Sequence, residues 1–392
     1  MRTALITSID LGSSHVRVMV CEVKSDGTAP KIISIGEAPS RGMRNGYIIN
    51  KKEISRSIQE AVNKAQKESS IPIKSCYISL GGIGLTSFSL TASTTLSHRK
   101  TITDDDLKVL YGKGKDYVEH YQPNYHIIDS IIRRYLLDQK PILGKPLGLL
   151  GEVISASMLY ILYPEHHLMD ITDVFSSLGI EIHGMLSAPQ ASARAMLTEK
   201  QKVSGCIFVD LGAETLTISG YEEGVLSSLK VYETGSSDIT NDIAINLQIS
   251  LEEAEKAKKG EFEKLLHPLP KDLVSSIIQT RLKSIFETIS FHLENHHPNS
   301  QFPAGIIIMG GGSQLQKIDQ SAKMHLQLPA FVSTIDLQIN PRVRVRETSW
   351  ATAYGTCLLA SEYKDALFSI SAQDILDTFR IILKKIFRKI AP

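Results

Sequence analysis

Cysteine is scarce in this chain and never clustered. Cys21, Cys76, Cys206 and Cys357 are spread over 392 positions with no C-x-x-C pair and no metal-ligand spacing. Each sits in an apolar run, so four buried free thiols are expected rather than a disulfide framework or a zinc site. Long hydrophobic runs are also missing. The longest approach to one, "LLGEVISASMLYILY", is broken by Glu152 and serines and is too short and polar to cross a bilayer. The opening "MRTALITSIDLG" is interrupted by Asp10 and does not read as a signal peptide. Net charge is only +1, and no block of Lys and Arg interleaved with aromatics occurs in the body of the chain, which argues against a nucleic-acid partner. Finally, no G-x-x-x-x-G-K-S/T, G-x-S-x-G or H-E-x-x-H occurs, which excludes a P-loop, a hydrolase elbow and a zincin site.

What is present begins with an ordinary globular composition, 42% hydrophobic, long enough for two or more cores. The charge is unevenly placed. From Ala372 onward five basic residues face Asp374 and Asp377, so this tail carries +3 and the remainder −2. Within it Leu376, Phe379, Ile382, Leu383, Ile386, Phe387 and Ile390 recur at intervals of three and four, with Arg380, Lys384, Lys385, Arg388 and Lys389 on the remaining faces. That spacing predicts an amphipathic helix over 372–392 able to lie in the plane of an anionic membrane, behind a weakly structured linker at 361–371.

An internal repeat organises the rest. "IDLGSSHVRVMVCEV" (Ile9–Val23) and "VDLGAETLTISGYEE" (Val209–Glu223) share an apolar residue, Asp, Leu, Gly, a polar turn and an alternating strand. Each predicts a hairpin, and together they predict two related α/β lobes. Helical periodicity is found at Ile54–Glu68, Met169–Leu178 and Leu273–Leu293. Apolar strands are found in "SCYISLGG", "GCIFVDLG" and "AGIIIMGGG". Alternating strands and helices imply a mixed, largely parallel sheet in each lobe, with insertions over about 85–160 and 236–303.

The glycine turns suggest chemistry. Gly12 and Gly212 allow backbone N–H groups to approach a phosphate closely, while Asp10 and Asp210 could hold a hydrated Mg²⁺. Gly310, Gly311 and Gly312 form a third turn after "IIIM", suited to a nucleoside phosphate or base. Glu255 and Lys258 sit three apart on the helix "SLEEAEKAKKGE", as neighbours on its surface. His292 and His296 have the spacing of a helical metal pair but lack a third ligand, and read as a solvated helix end, as do His166 and His167. Trp350 reads as core.

In this order the motifs resemble the actin-like ATPase superfamily, and over nearly the whole chain they most resemble the FtsA family of bacterial cell-division actin homologues. "GEAPSRGMRNGYIINKKEISRSIQEAVNKAQ", "TITDDDLKVL", "KPLGLLGEVISASMLYI", "YETGSSDITNDIAINLQISLEEAEKAK" and "RETSWATAYGTCLLA" carry that resemblance. It implies a two-lobed actin-like fold: subdomain IA at 1–84 and 161–197, an inserted IC at 85–160, IIA at 198–235 and 303–360, and IIB at 236–302. It implies ATP and Mg²⁺ as ligands, held by Asp10, Gly12, Ser13, Ser14, Asp210, Gly212, Ala213, Glu214, Thr215, Gly235, Glu255, Lys258, Gly310, Gly311, Gly312 and Ser313. It further implies self-assembly into filaments, an anionic membrane surface engaged by the C-terminal helix, and other division proteins as partners. The expected location is the cytoplasmic face of the membrane at the division site. The tail peptide of FtsZ would bind subdomain IIB near Arg281 and Lys283. A PilM-like pilus-assembly adaptor and a sugar-kinase-like phosphotransferase are the alternatives on the same fold. Three departures from the family matter: Glu214 stands where small residues are usual, Thr217 where an acidic residue is often found, and Ala188 where related ATPases place an acidic residue beside the attacking water. ATP binding with weak hydrolysis is therefore expected, with Gln190 as the remaining candidate for positioning water.

Overall fold

The computed structural model describes residues 3–24, 27–340 and 343–369. The expected amphipathic helix at 372–392 lies outside the described residues. The first lobe opens with β1 (Thr3–Leu11), β2 (His15–Lys24) and β3 (Lys31–Pro39), a small hairpin of β4 (Met43–Arg44) and β5 (Tyr47–Ile48), α1 (Lys51–Ser69) and β6 (Ser75–Leu80). The insertion follows as β7 (Thr86–Thr101), α2 (Asp104–Tyr121), β8 (Tyr125–Leu137), β9 (Lys140–Ile142) and β10 (Leu150–Pro164). The chain then returns through α3 (Glu165–Ser177), β11 (Glu181–Ser187), α4 (Ala188–Met196) and α5 (Glu199–Ser204). The second lobe holds β12 (Cys206–Leu211), β13 (Leu216–Glu222), β14 (Val225–Tyr232), α6 (Ser236–Leu247), α7 (Leu251–Lys258), α8 (Lys271–His296), β15 (Ile306–Met309), α9 (Ile318–Leu326) and β16 (Ala330–Val332). A hairpin of β17 (Leu337–Asn340) and β18 (Val343–Val345) leads to α10 (Ala351–Ser369).

The internal repeat is a repeat of topology. The first lobe's sheet runs β11-β6-β1-β2-β3, and the second lobe's strands run β16-β15-β12-β13-β14. In each, the first three strands are parallel and the last two pairings antiparallel. The sheets are therefore evenly mixed rather than largely parallel, because the meanders β1–β2–β3 and β12–β13–β14, which include the hairpins that carry the glycine turns, supply half the pairings. The expected alternation of burial along β2 is also absent. Val16, Val18 and Val20 are buried, and so are Met19 and Cys21, because β2 is a central strand covered on both faces.

The termini of the helices explain their extent. Asn50 caps α1 by accepting from the amides of Lys52 and Glu53, and Thr103 and Asp106 form a reciprocal cap on α2, each satisfying amides that have no partner within the helix. Helices α6, α7 and α8 pack with one face of the second sheet in one core that includes Ile218, Ile239, Ile243, Ala254 and Ile285.

Three placements differ from expectation. Helix α10 does not close the second lobe. It lies on the first sheet beside α4, where the Ser8 hydroxyl donates to the Ala353 carbonyl and a Cβ on Gly355 would collide with the Ala191 backbone. The same helix runs to Ser369, so the linker expected from Ser361 begins inside it; after Gly355 the run contains only residues compatible with a helix. Finally, β10 passes through the expected boundary at 160, and the insertion is joined to the second lobe. Its strands extend that sheet through one pairing, Lys230 with Thr86, to make nine strands in all. The Ser87 side chain ties down Leu229 through both its amide and its carbonyl, and Arg134 pairs with Glu223 at 2.9 Å.

Candidate functional site

Four glycine turns follow the C-terminal ends of β1, β6, β12 and β15, the edge at which open α/β sheets bind ligands. They surround a cleft of about 490 Å³ between the lobes. The two repeat turns are built alike: the Gly12 amide donates to the His15 carbonyl at 3.2 Å, and the Gly212 amide to the Thr215 carbonyl at 2.9 Å. A side chain at either glycine would press on the carbonyl that closes the turn. Of the residues expected to hold nucleotide, Asp10, Gly12, Ser13, Ser14, Asp210, Gly212, Ala213, Thr215, Glu255, Lys258, Gly310, Gly311 and Gly312 all line this cleft.

The two aspartates belong to its floor. Asp10 accepts from the Ser79 hydroxyl at 2.7 Å; burial raises its carboxyl above the usual range, partly offset by that bond and by Arg17. Asp210 is pushed up to about 7, by burial and then by the charge of Asp10, with Arg17 acting against the rise. Two carboxylates held together in a buried place call for a cation. Among the described residues no group of three or more His, Cys, Asp or Glu could cage a metal. The pair supplies oxygen donors of the kind Mg²⁺ takes.

Glu255 and Lys258 form the opposite wall. The Lys258 ammonium contacts Glu255 at 2.6 Å, the Thr240 hydroxyl at 2.8 Å and the Ser236 carbonyl at 3.1 Å, which fixes α7 against α6. Burial pulls Lys258 below its usual range despite Glu255. Burial acts to raise Glu255, but the bonds and charges of its partners bring it lower and keep it ionised.

Other expected residues lie elsewhere. Gln190 is not among the residues lining the cleft; its amide donates to Asp129 at 2.7 Å, across to β8. Ala188 and Pro189 do line it. Glu214 turns away from the cleft and accepts from the Asn45 amide at 2.6 Å. Gly235 serves the turn from beneath, where a Cβ would strike the Ala213 backbone, and its amide donates to Asp238. Ser313 is buried and donates to the Gly310 carbonyl at 2.7 Å. Arg281, expected to meet a partner, is held in a two-pronged pair with Asp242 at 2.6 and 2.7 Å, linking α8 to α6; Lys283 is solvent-exposed.

The histidines also depart from expectation. His292 is buried between Ser228 and Tyr232 rather than solvated, and His167 is buried against the Tyr47 ring; His296 and His166 remain exposed. Trp350 is core, and all four cysteines are free and buried.

Sequence reasoning missed Arg17, Gly46, Gly81, Gly82, Lys259 and Glu347, all of which line the cleft. Arg17 pairs in register with Asp10, as Thr217 does with Asp210, and its guanidinium sits over Trp350 and bonds Glu37 at 2.7 Å. The available signals were one arginine within the apolar run Val16–Cys21 and the pair of glycines ending "SCYISLGG".

Comparison with known proteins agrees with this geometry. A family model described as cell division protein FtsA matches residues 207–355. The chain is 24% identical to cell division protein FtsA of Pseudomonas aeruginosa, over 83% of this chain and 82% of that one. It is 24% identical to FtsA of Bacillus subtilis, over 90% and 82%, and 23% identical to FtsA of Escherichia coli K12, over 81% of each. Among solved structures it is similar to a PilM-PilN type IV pilus biogenesis complex, at a TM-score of 0.66 and 14% identity over 91% of this chain and 98% of that one. MreB 5 of Spiroplasma citri bound to AMPPNP gives a TM-score of 0.54 at 11% identity, over 94% and 99%. These two likenesses establish the actin-like fold.

Proposed function

We propose that this chain, a relative of the cell division protein FtsA built on the actin-like fold, binds ATP between its lobes, assembles with itself, and ties FtsZ filaments to the cytoplasmic membrane. The observation that carries this reading is the cleft itself. Two equivalent glycine turns face it from opposite lobes, with the buried pair Asp10 and Asp210 between them. Their amides would receive a polyphosphate, with Arg17 on the cleft lining beside them. The turn at Gly310–Gly312 and the wall of Glu255 and Lys258 bound the part of the cleft left for a nucleoside. Asp10 and Asp210 would hold Mg²⁺ through its water, and the ion would neutralise phosphate charge.

Hydrolysis in line with the last phosphate needs a group that orients water. At the turn into α4 the cleft offers Ala188 and Pro189, and Gln190 is bonded elsewhere. The chain is thus a nucleotide-dependent assembly protein with slow turnover. Exposed Lys283 on α8 remains a candidate contact for an acidic FtsZ peptide. The names of the relatives favour this role over a pilus adaptor.

The test pairs a titration of ATP with Mg²⁺ against a phosphate-release assay. Binding with turnover well below about 1 s⁻¹ is expected. Failure to bind ATP, or fast turnover, would overturn the corresponding half. Sedimentation with anionic liposomes, ATP and FtsZ tests the tether: FtsZ should pellet only when this protein is present.

A further inference from the structure

The hairpin of β4 and β5 does more than complete the first lobe. Its tip, Asn45 and Gly46, bonds to four separate segments around the cleft. The Gly46 amide donates to the Ser13 hydroxyl at 3.1 Å, in the first phosphate turn. The Asn45 carbonyl accepts from the Ile83 amide at 3.1 Å, in the turn after β6. The Asn45 amide donates to Glu214 in the turn of the opposite lobe, and the Asn45 side chain donates to Glu233 at the end of β14.

The backbone is shaped for this. Asn45 and Gly46 both have left-handed φ, 50° and 80°, which Asn and Gly adopt at lowest cost. Gly46 lies on Gly82 so closely that a Cβ on either would meet the other's backbone. Gly46, Gly81 and Gly82 line the cleft beside the two phosphate turns. One tip therefore sits over the phosphate end of the cleft, anchored in its own lobe by Ser13 and Ile83 and across the gap by two glutamates. Glu214 is the residue that departs from the small side chains usual in such turns. Its carboxylate faces the hairpin rather than the cleft, so it contributes an inter-lobe bond in place of a ligand contact.

We propose that the Asn45–Gly46 tip is a strap over the phosphate end of the cleft and that Glu214 is its catch, so that release of a bound nucleotide requires the Asn45 amide to leave Glu214. This rests on the nucleotide reading of the cleft. Glu214 is a positioning residue: it acts on the ligand through the strap.

Two variants separate the catch from simple charge. Glu214→Gln keeps an acceptor oxygen for the Asn45 amide and removes the charge; Glu214→Ala removes both. Stopped-flow measurement of mant-ATP association and release, with amide hydrogen exchange across residues 43–48, reads the outcome. In Glu214→Ala, release should quicken by about tenfold or more, the effect of one charge-assisted bond, with association changed by less than about threefold and faster exchange in the hairpin. Glu214→Gln should stay within about threefold of the wild type in release. Equal behaviour of the two variants, or unchanged release and exchange in Glu214→Ala while the wild type binds mant-ATP, would overturn the catch alone. A wild type that binds no mant-ATP would overturn the nucleotide reading, and the gating role with it.

Discussion

Gly310 is the residue at which the least change should do the most harm. Its φ is 89°, and a Cβ there would meet Asp210 Oδ1 and the Leu211 carbonyl. Gly310→Ala therefore forces either the strained turn or the buried carboxylate to move. A loss of about 1–3 kcal/mol in urea unfolding is expected, together with a large loss of ATP affinity in titration; wild-type affinity would mean that this turn does not bound the ligand. Arg281 makes the opposite point. From sequence it reads as a free cation for a partner, yet its guanidinium is spent on Asp242. Arg281→Ala and Asp242→Ala should each destabilise the protein by about 1–2 kcal/mol with a double-mutant coupling near 1 kcal/mol, because the pair is half-buried and planar. What a side chain touches across 39 residues is not written in its neighbours, whereas the need for glycine after Asp10 and Asp210 is local, and those turns were legible.

At the scale of elements, the C-terminal end of α8 carries a pH dependence. His292 is fully buried and faces Ser228, Tyr232, His296, His297 and Lys230; burial, then the neighbouring histidines and Lys230, push it down to about 3. In the unfolded chain it takes a proton near pH 6.5. Its folded pKa being the lower one, its contribution is whole above pH 6.5 and is lost as pH falls from there toward 3, with a slope approaching about 1.4 kcal/mol per pH unit. Urea unfolding between pH 7 and 5 should show His292→Gln losing roughly one proton's worth of that slope; identical slopes would show that His292 is not buried neutral. Helical periodicity gave α1, α3 and α8 correctly, since each carries its own apolar stripe. It could not place His292 inside, because the strand that covers it, β14, lies about 60 residues earlier. Nor could it tell that α10 returns to the first lobe, where it packs on α4, β1, β2 and β6, with Gly355 against Ala191, all distant in sequence.

For the whole molecule, the repeat of "DLG" turns was enough to read two related lobes, and the cleft lies where those turns meet. Membrane attachment is argued from the sequence of the tail alone. Phe387→Glu places a charge in its apolar stripe, and should release the protein from anionic liposomes in a flotation assay while leaving ATP titration unchanged; continued flotation would refute the anchor.

The single pairing of Lys230 with Thr86 has a mechanical consequence. The insertion is covalently continuous with the first lobe, through the turn after β6 and through Pro164, yet hydrogen-bonded edge to edge with the second. A body fastened to one plate by its ends and by the Gln190–Asp129 bond, and to another by its flank, cannot stay rigid with both when the plates turn. A rotation of the lobes would load that one rung, the Ser87 side chain beside it, and the Arg133–Glu222 and Arg134–Glu223 pairs. While the rung holds, the insertion would follow the second lobe in such a turn, and with the rung parted it would follow the first.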